Sequence, residues 1–259
     1  MRVFYSEEIK QIDALGINEL EMPGIMLMET AGRQVAEAAL ELLEESVGRK
    51  VLVFAGKGNN AGDAFVCARY LSNQGFGVKV VLLSTSEYQG DALYQLKLLK
   101  KCKDMDFFTI KSEVEFNQVL ACGKMSDLII DGILGTGFHG ELTTSFKQAI
   151  DLINSLNLPV VAIDLPSGVF ADTGRVGKSV VRANITVTMT ALKPGLVLYP
   201  GAEFAGEVLV ADLGIPSNFV QDFPNDKALI TETLIKDLLP QRPKNAHKGT
   251  SGRVTIVAG

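Results

Sequence analysis

The chain has only two histidines and three cysteines, and none of its apolar runs approaches the roughly 20 residues that span a bilayer. Its opening, Met1-Arg-Val-Phe-Tyr-Ser-Glu-Glu, holds no apolar signal core. Cys67, Cys102 and Cys122 sit in apolar helical patterns without metal-ligand spacing, so they read as buried thiols in a reducing compartment. With His139 and His247 as the whole imidazole supply, a zinc site and a serine triad are both poorly served. A net charge of −5 leaves no basic surplus for a nucleic acid or an anionic membrane. No Gly-Lys-Ser/Thr closes a phosphate loop, and no G-x-G-x-x-G is present at the first glycine turn. The expectation is a soluble, cytoplasmic protein with neither nucleic-acid nor membrane partners.

What is present is core material. Hydrophobic residues make up 47% and charged residues 21% of 259 positions, which at about 150 residues per domain predicts one to two domains. The organising stretch is Val51-Leu-Val-Phe-Ala-Gly-Lys-Gly-Asn-Asn-Ala-Gly-Asp63. Four apolar residues suit a strand buried on both faces, a glycine turn follows, and Ala64 to Leu71 reads as a helix. Free amides and the positive helix end then point at one spot, an anion site. Asn59, Asn60 and Asp63 crowd three polar side chains into this turn.

In chain order, Ser6 is positioned to cap a short helix carrying Ile9, Ile12 and Leu15. Pro23 opens a longer helix, whose methionines read as core, and Gly48 stops it. Strands are predicted at Val78–Leu83, Phe107–Ile110, Leu128–Ile130 and Pro159–Ile163. Helices fall at Asp91–Cys102, after the capping-box spacing of Ser112 to Glu115, and at Phe146–Leu156. This alternation predicts an α/β fold, a Rossmann-like three-layer α/β/α sandwich with a mostly parallel, doubly wound sheet. Ile185–Thr190 and Glu207–Leu213 read as further strands with no usable helix between them, expected at one edge and partly antiparallel. Beyond Pro216 the pattern thins, with a polar stretch at Asn218–Asp226 and a short helix within Ala228–Leu239. Arg253–Ala258 then reads as the first strand of another domain.

Ligands of parallel sheets bind outside the carboxyl ends of the strands. Three such ends here run into polar, glycine-rich loops: Gly56 to Asp63, Asp131 to Glu141, and Asp164-Leu-Pro-Ser-Gly168 continuing to Gly174. Their convergence on one ligand is a stronger argument than any loop alone. Each also has a plainer reading. Asp131 can cap its own turn, Asp164 can cap a bend, and Gly135 and Gly137 can simply supply positive φ. Ser167 lacks the G-x-S-x-G setting of a nucleophile. Lys193 lies near a strand end, where facing the pocket and facing solvent are both open.

Val53 to Asp63, Asp127-Leu-Ile-Ile-Asp-Gly-Ile-Leu-Gly-Thr-Gly137, Ala162 to Gly168 and Leu192-Lys-Pro-Gly195, with Leu27-Met-Glu-Thr-Ala-Gly32, resemble the NAD(P)H-hydrate epimerase (YjeF N-terminal) domain. The likeness covers roughly residues 5 to 235. The tail from His247 to Gly259 is similar to the opening of an ADP-dependent NAD(P)H-hydrate dehydratase domain. The resemblance therefore implies an epimerase domain at 1–223, then a linker and the truncated start of a dehydratase at 224–259, within a bifunctional isomerase and lyase. It implies a substrate, NADHX or NADPHX, hydrated at C6 of the nicotinamide ring. Binding positions carried over are Asn59, Asn60, Ala61, Gly62 and Asp63, and Gly135, Thr136, Gly137, Phe138, His139, Gly140 and Glu141, with Asp164 at the reacting end. K⁺ is implied at Asn60, Asp131 and Ser167. Asp164 is the implied catalytic residue, with Lys193 the next candidate, and a homodimer or higher homo-oligomer is expected. Ala61 and Ala64 depart from a pattern where glycine is common, and His139 and Glu141 fall in a variable part of the second loop.

The chemistry needs little. N1 can expel water from C6 once the hydroxyl is protonated, and the flat cation can be rehydrated on either face. One carboxyl that gives and recovers a proton suffices; ring opening at C6–N1 is a second route that the sequence leaves open. Asp164, serving the nicotinamide end, is expected across the pocket from Asn59 and Asn60. A dehydrogenase would instead require G-x-G-x-x-G and an acid closing the second strand, which here ends Leu82-Leu83-Ser84. A non-catalytic nucleotide sensor would need pocket residues but no Asp164.

Overall fold

The computed structural model describes residues 2–43, 48–84, 87–103, 105–239, 244–247, 253 and 255–257. Two helices, α1 (Ser6–Asn18) and α2 (Gly24–Leu43), precede the alternating region. That region runs β1 (Lys50–Ala55), α3 (Asn59–Asn73), β2 (Gly77–Leu82), α4 (Gly90–Leu99), β3 (Asp106–Thr109) and α5 (Glu113–Lys124). It continues with β4 (Leu128–Gly132), α6 (Thr144–Leu156), β5 (Val160–Ile163), β6 (Ile185–Met189), α7 (Pro194–Val197) and β7 (Glu207–Ala211). Short helices α8 (Ser217–Gln221) and α9 (Glu232–Leu238) follow.

The strands form one seven-stranded sheet in the order β3-β2-β1-β4-β5-β6-β7, and every pairing is parallel. The partly antiparallel edge expected for β6 and β7 is therefore corrected. The connection between them holds α7 and a 3₁₀ turn at Gly201–Phe204, which together carry the chain back across the sheet without a full helix.

Alternation along each strand divides the core. Val51 and Val53 face the layer of α1, α2, α3 and α4, whereas Leu52 and Phe54 face α5 and α6. All four are essentially sealed from solvent, each worth about 1.5–3 kcal/mol of burial. A third cluster, Leu165, Val169, Ala171, Val180, Leu196 and Ala205, lies beneath the long connection after β5 and holds it against α7.

The Leu27–Gly32 motif acts through packing. A Cβ on Gly32 would lie 2.5 Å from the Asp63 carbonyl oxygen, and one on Gly62 would collide with the Met28 sulfur. Both glycines thus let α2 and α3 touch beneath Asp63. Met28 is buried as expected of core, but Met26 is 53% exposed, so the methionines are not all core.

Ser6 is not the cap of α1; Tyr5 is, and the Ser6 amide and hydroxyl donate to Asp172 at 2.6 and 2.7 Å. Ser112 does cap α5, accepting from the Glu115 amide. The N-terminal segment is stitched across the molecule. The Phe4 amide donates to the Leu192 carbonyl at 2.8 Å, and Arg2 donates to the carbonyls of Val220, Gln221, Phe223 and Asn225. Pro224 to Ala228 thereby lies back along Arg2 and Val3. Among the described residues no helix is long and apolar enough to cross a membrane. The buried strand expected at Arg253–Ala258 is not borne out at its described residues, since Arg253 and Thr255 to Val257 are exposed and take no strand, while much of the tail motif from His247 to Gly259 lies outside the described residues.

Candidate active site

The strand order reverses direction between β1 and β4, and β1, β4, β5 and β6 are neighbours. The loops after these strands therefore open side by side at the switch point of the sheet. Gly56 makes their approach feasible, because a Cβ there would collide with the Ile133 carbonyl. Gly58 takes φ +79° with open space around it, so that glycine serves the backbone turn at the start of α3. The first amides of α3, from Asn59 onward, have no partner within the helix.

Asp164 sits just beyond β5 at φ +68°, and the Leu165 amide donates to the Ile163 carbonyl at 2.8 Å. This is a γ-turn of the rare positive-φ kind, a strained geometry for a side-chain-bearing residue. It aims the carboxylate back over the sheet edge. There Asp164 Oδ1 pairs with Lys193 Nζ at 2.7 Å, and Oδ2 accepts the Thr136 amide at 2.6 Å and the Thr136 hydroxyl. Lys193 is not solvated. It is fully buried, and Nζ also donates to Thr188 Oγ1 and the Met189 carbonyl, both at 2.8 Å. Burial pushes the Asp164 carboxyl up, but the charge and hydrogen bond of Lys193, with the two hydrogen bonds from Thr136, outweigh it and hold the group below its usual value. The carboxylate keeps 11% of its surface open, the face a ligand can reach.

Asp131 lies inside β4 rather than after it, with no exposed surface. Its Oδ1 accepts the Ser167 hydroxyl at 2.6 Å and the Ile133 amide at 3.2 Å, and Oδ2 accepts the Ser167 amide at 2.8 Å. Ser167 Oγ in turn accepts the Leu134 amide at 2.9 Å. None of the ion pairs among the described residues includes Asp131. Burial pushes its carboxyl up to about 6 despite these hydrogen bonds.

Asn60 lies nearer Asp164 than expected. Its Oδ1 and the Asp164 Oδ2 come within 2.8 and 2.9 Å of the point where a Cβ on Gly135 would stand. Both thus border the same glycine, and Asn60 is not across the pocket from the carboxylate. The Asn60 Nδ2 is buried without a hydrogen-bond partner, a donor left for a ligand oxygen. Asn59 is exposed, while Ala61 and Gly62 are buried and offer only backbone to a ligand. Asp63 is buried, and burial, then the charges of Asp164 and Asp13, push its carboxyl well above the usual range. In the second loop Thr136 binds Asp164, and Phe138 is buried with its ring 4.9 Å from that of Phe170, joining the second loop to the third. Gly137, His139, Gly140 and Glu141 are exposed.

Sequence reasoning missed Thr188, Thr190 and Asp13. The first links Lys193 to Asp164. Thr190 donates to Asp13 Oδ1 at 3.3 Å, so α1 reaches the site. The available signal was an acid four residues after Ile9, on the buried side of α1. A cavity of about 660 Å³ lies elsewhere, between α5 and α6 and lined by Ser112, Phe116, Gln148 and Asp151. It holds none of these groups, and the convergence of side chains locates the site.

Comparison with known proteins places the chain in a family. The family model described as YjeF-related protein N-terminus matches residues 24–195, which hold all four loops. The chain is 38% identical over 261 residues to the bifunctional NAD(P)H-hydrate repair enzyme Nnr of Moorella thermoacetica, covering 100% of this chain and 49% of that enzyme. It is 36% identical over 220 residues to the NAD(P)H-hydrate epimerase of Rhodopirellula baltica, covering 84% of this chain and 86% of that protein. The crystal structure of yeast ynu0 shares the fold, with a TM-score of 0.72 at 24% identity over 90% of this chain and 98% of the yeast chain. The chain thus spans about half the length of the bifunctional relatives and most of the length of the single-function one. It belongs to the family of YjeF-related protein N-termini.

Proposed function

We propose that this chain epimerises NADH and NADPH hydrated at C6, interconverting the R and S forms so that a dehydratase specific for one can use both. The observation that carries the reading is the Asp164–Lys193 pair, buried yet open on one side, beside the glycine turn and free amides of α3. The pyrophosphate fits at that helix start, and the hydrated ring then lies over Asp164, with the unpartnered Asn60 amide at its side.

In this geometry Asp164 passes a proton from Lys193 to the C6 hydroxyl. The C–O bond breaks, water leaves, and the N1 lone pair forms a planar C6=N1 cation. Water adds to the opposite face, and its proton returns through Asp164 to Lys193. Atoms, protons and electrons balance with no redox partner. Thr188 and the Met189 carbonyl hold the lysine in place, and Thr136 orients the carboxylate.

Asn60, Asp131 and Ser167 would hold K⁺. The donors fit, since the set is all oxygen and centres on a buried carboxylate that has no cationic side chain in the ion pairs of the described residues. When bound, the ion supplies charge that offsets Asp131 and the substrate's phosphates. The same reading places the protein in the cytoplasm, where three free thiols stay reduced. The open edge of β7, with Val210 39% exposed, supports a homodimer or higher homo-oligomer. The test is incubation with purified R-epimer, followed by chromatography. Appearance of the S form at a catalysed rate is the expected result, and recovery of R alone overturns the reading.

A further inference from the structure

Asp13 lies on α1, outside the alternating region and far in sequence from every loop of the site. Three observations bring it there. The N-terminal segment is pinned to the Lys193 turn by the Phe4–Leu192 hydrogen bond and to the third loop by Ser6 and Asp172. Thr190, three residues before Lys193, donates its hydroxyl to Asp13. Thr190 also sits at φ +67°, with the Ala191 amide donating to the Met189 carbonyl at 2.7 Å. This repeats the strained turn found at Asp164, now on a β-branched residue that rarely adopts it. Neighbouring strands β5 and β6 thus end in the same rare turn. One aims a carboxylate at Lys193, and the other aims a hydroxyl at Asp13.

We infer that Asp13 is a positioning residue of the site, a second carboxylate that faces Lys193 from α1 and holds it, through charge and through Thr190, in register with Asp164. The inference rests on the epimerase reading for its kinetic consequence but not for its charge coupling. When Lys193 gives up its proton to Asp164 and takes it back, a fixed negative charge at Asp13 favours the return and keeps the amine beside the carboxylate. The charged groups that face Asp13 are Lys193 from the turn before α7, Asp164 from the end of β5 and Asp63 from α3. Burial raises the Asp13 carboxyl above its usual value and the Lys193 charge only partly pulls it back, so the ionised residue is held at a cost in stability.

Asp13→Asn keeps the acceptor for Thr190 and removes the charge, which separates the two roles. The expected kinetic result is a fall in kcat of about tenfold, the equivalent of one pKa unit, with KM nearly unchanged and most activity restored in Asp13→Glu. The expected unfolding result, read by urea midpoints at pH 8, is a midpoint unchanged or raised in the wild-type background and raised further in Lys193→Met. A residue that merely braces α1 would lower the midpoint and leave kcat intact. Equal kcat in Asp13→Asn and wild type, or shifts that add without coupling to Lys193→Met, would overturn the inference. If the wild-type chain does not epimerise, the functional reading falls while the unfolding cycle still decides this one. If Lys193→Met does not fold, the kinetic arm decides alone.

Discussion

Asp131 and Asp164 stand at the ends of adjacent strands, both buried, and Asp131 pairs in register with Ala162, two residues before Asp164. Their surroundings differ most in counter-charge. Asp164 has a buried lysine at 2.7 Å, whereas Asp131 has a hydroxyl and two amides and no cationic side chain in the ion pairs of the described residues. The first carboxyl is held below its usual value and the second is pushed up to about 6. Burial acts on both, so the lysine makes the difference. A carboxylate with its own counter-charge can pass protons without leaving its place. One without must keep a proton or borrow a cation, which suits a binding role.

The largest effect comes from making Asp164 resemble Asp131. Lys193→Met leaves a buried carboxylate uncompensated, an expected loss of about 3–5 kcal/mol in urea unfolding at pH 8. A variant as stable as the wild type would mean that the pair contributes nothing to the fold. Next is the pH dependence, where the two carboxyls have opposite signs. Asp131, raised on folding, contributes stability that is present below the unfolded value near 4 and is lost as pH rises through about 6. In potassium-free buffer that loss is about 3 kcal/mol, and Asp131→Asn should flatten the curve across this window. Asp164, lowered on folding, contributes stability that is present above the unfolded value and is lost as pH falls through its folded value. Added K⁺ should stabilise the wild type at pH 8 by about 2.7 kcal/mol at a hundredfold excess over Kd, read as a raised melting temperature, and should leave Asp131→Asn unmoved. Equal shifts in both proteins would place the cation elsewhere. The smallest effect is Thr136→Val, which removes a partly exposed donor from Asp164, for about 1 kcal/mol and a several-fold drop in kcat. A rise in KM alone would instead mark Thr136 as a binding group.

The halves of this comparison were unequally legible in the sequence. Strands β1, β4 and β5 are buried on both faces, so each writes a continuous apolar run that a glycine or a carboxylate then breaks, at Gly56, Asp131 and Asp164. Asp131, Asp164 and the three loops could be read from that pattern. Which cation serves which carboxylate could not. Lys193 reaches Asp164 only because β6 lies beside β5, and the sequence reading left its side chain open between pocket and solvent. The parallel pairing of β6 and β7 was hidden by a crossover of single helical turns, too short to show a period. Thr190 gave no sign, since a β-branched residue is a poor forecast of positive φ. Asp13 left a trace, an acid on the apolar stripe of α1, but one acid on a short helix reads equally as solvated.

The division of labour between the two aspartates is tested most directly by the epimerisation of pure R substrate by Asp164→Asn and Asp131→Asn at saturating concentration. The account predicts a fall in kcat of about a hundredfold to ten-thousandfold for Asp164→Asn. For Asp131→Asn it predicts a raised KM with kcat largely kept. A collapse of kcat in Asp131→Asn beside a nearly normal Asp164→Asn would contradict it.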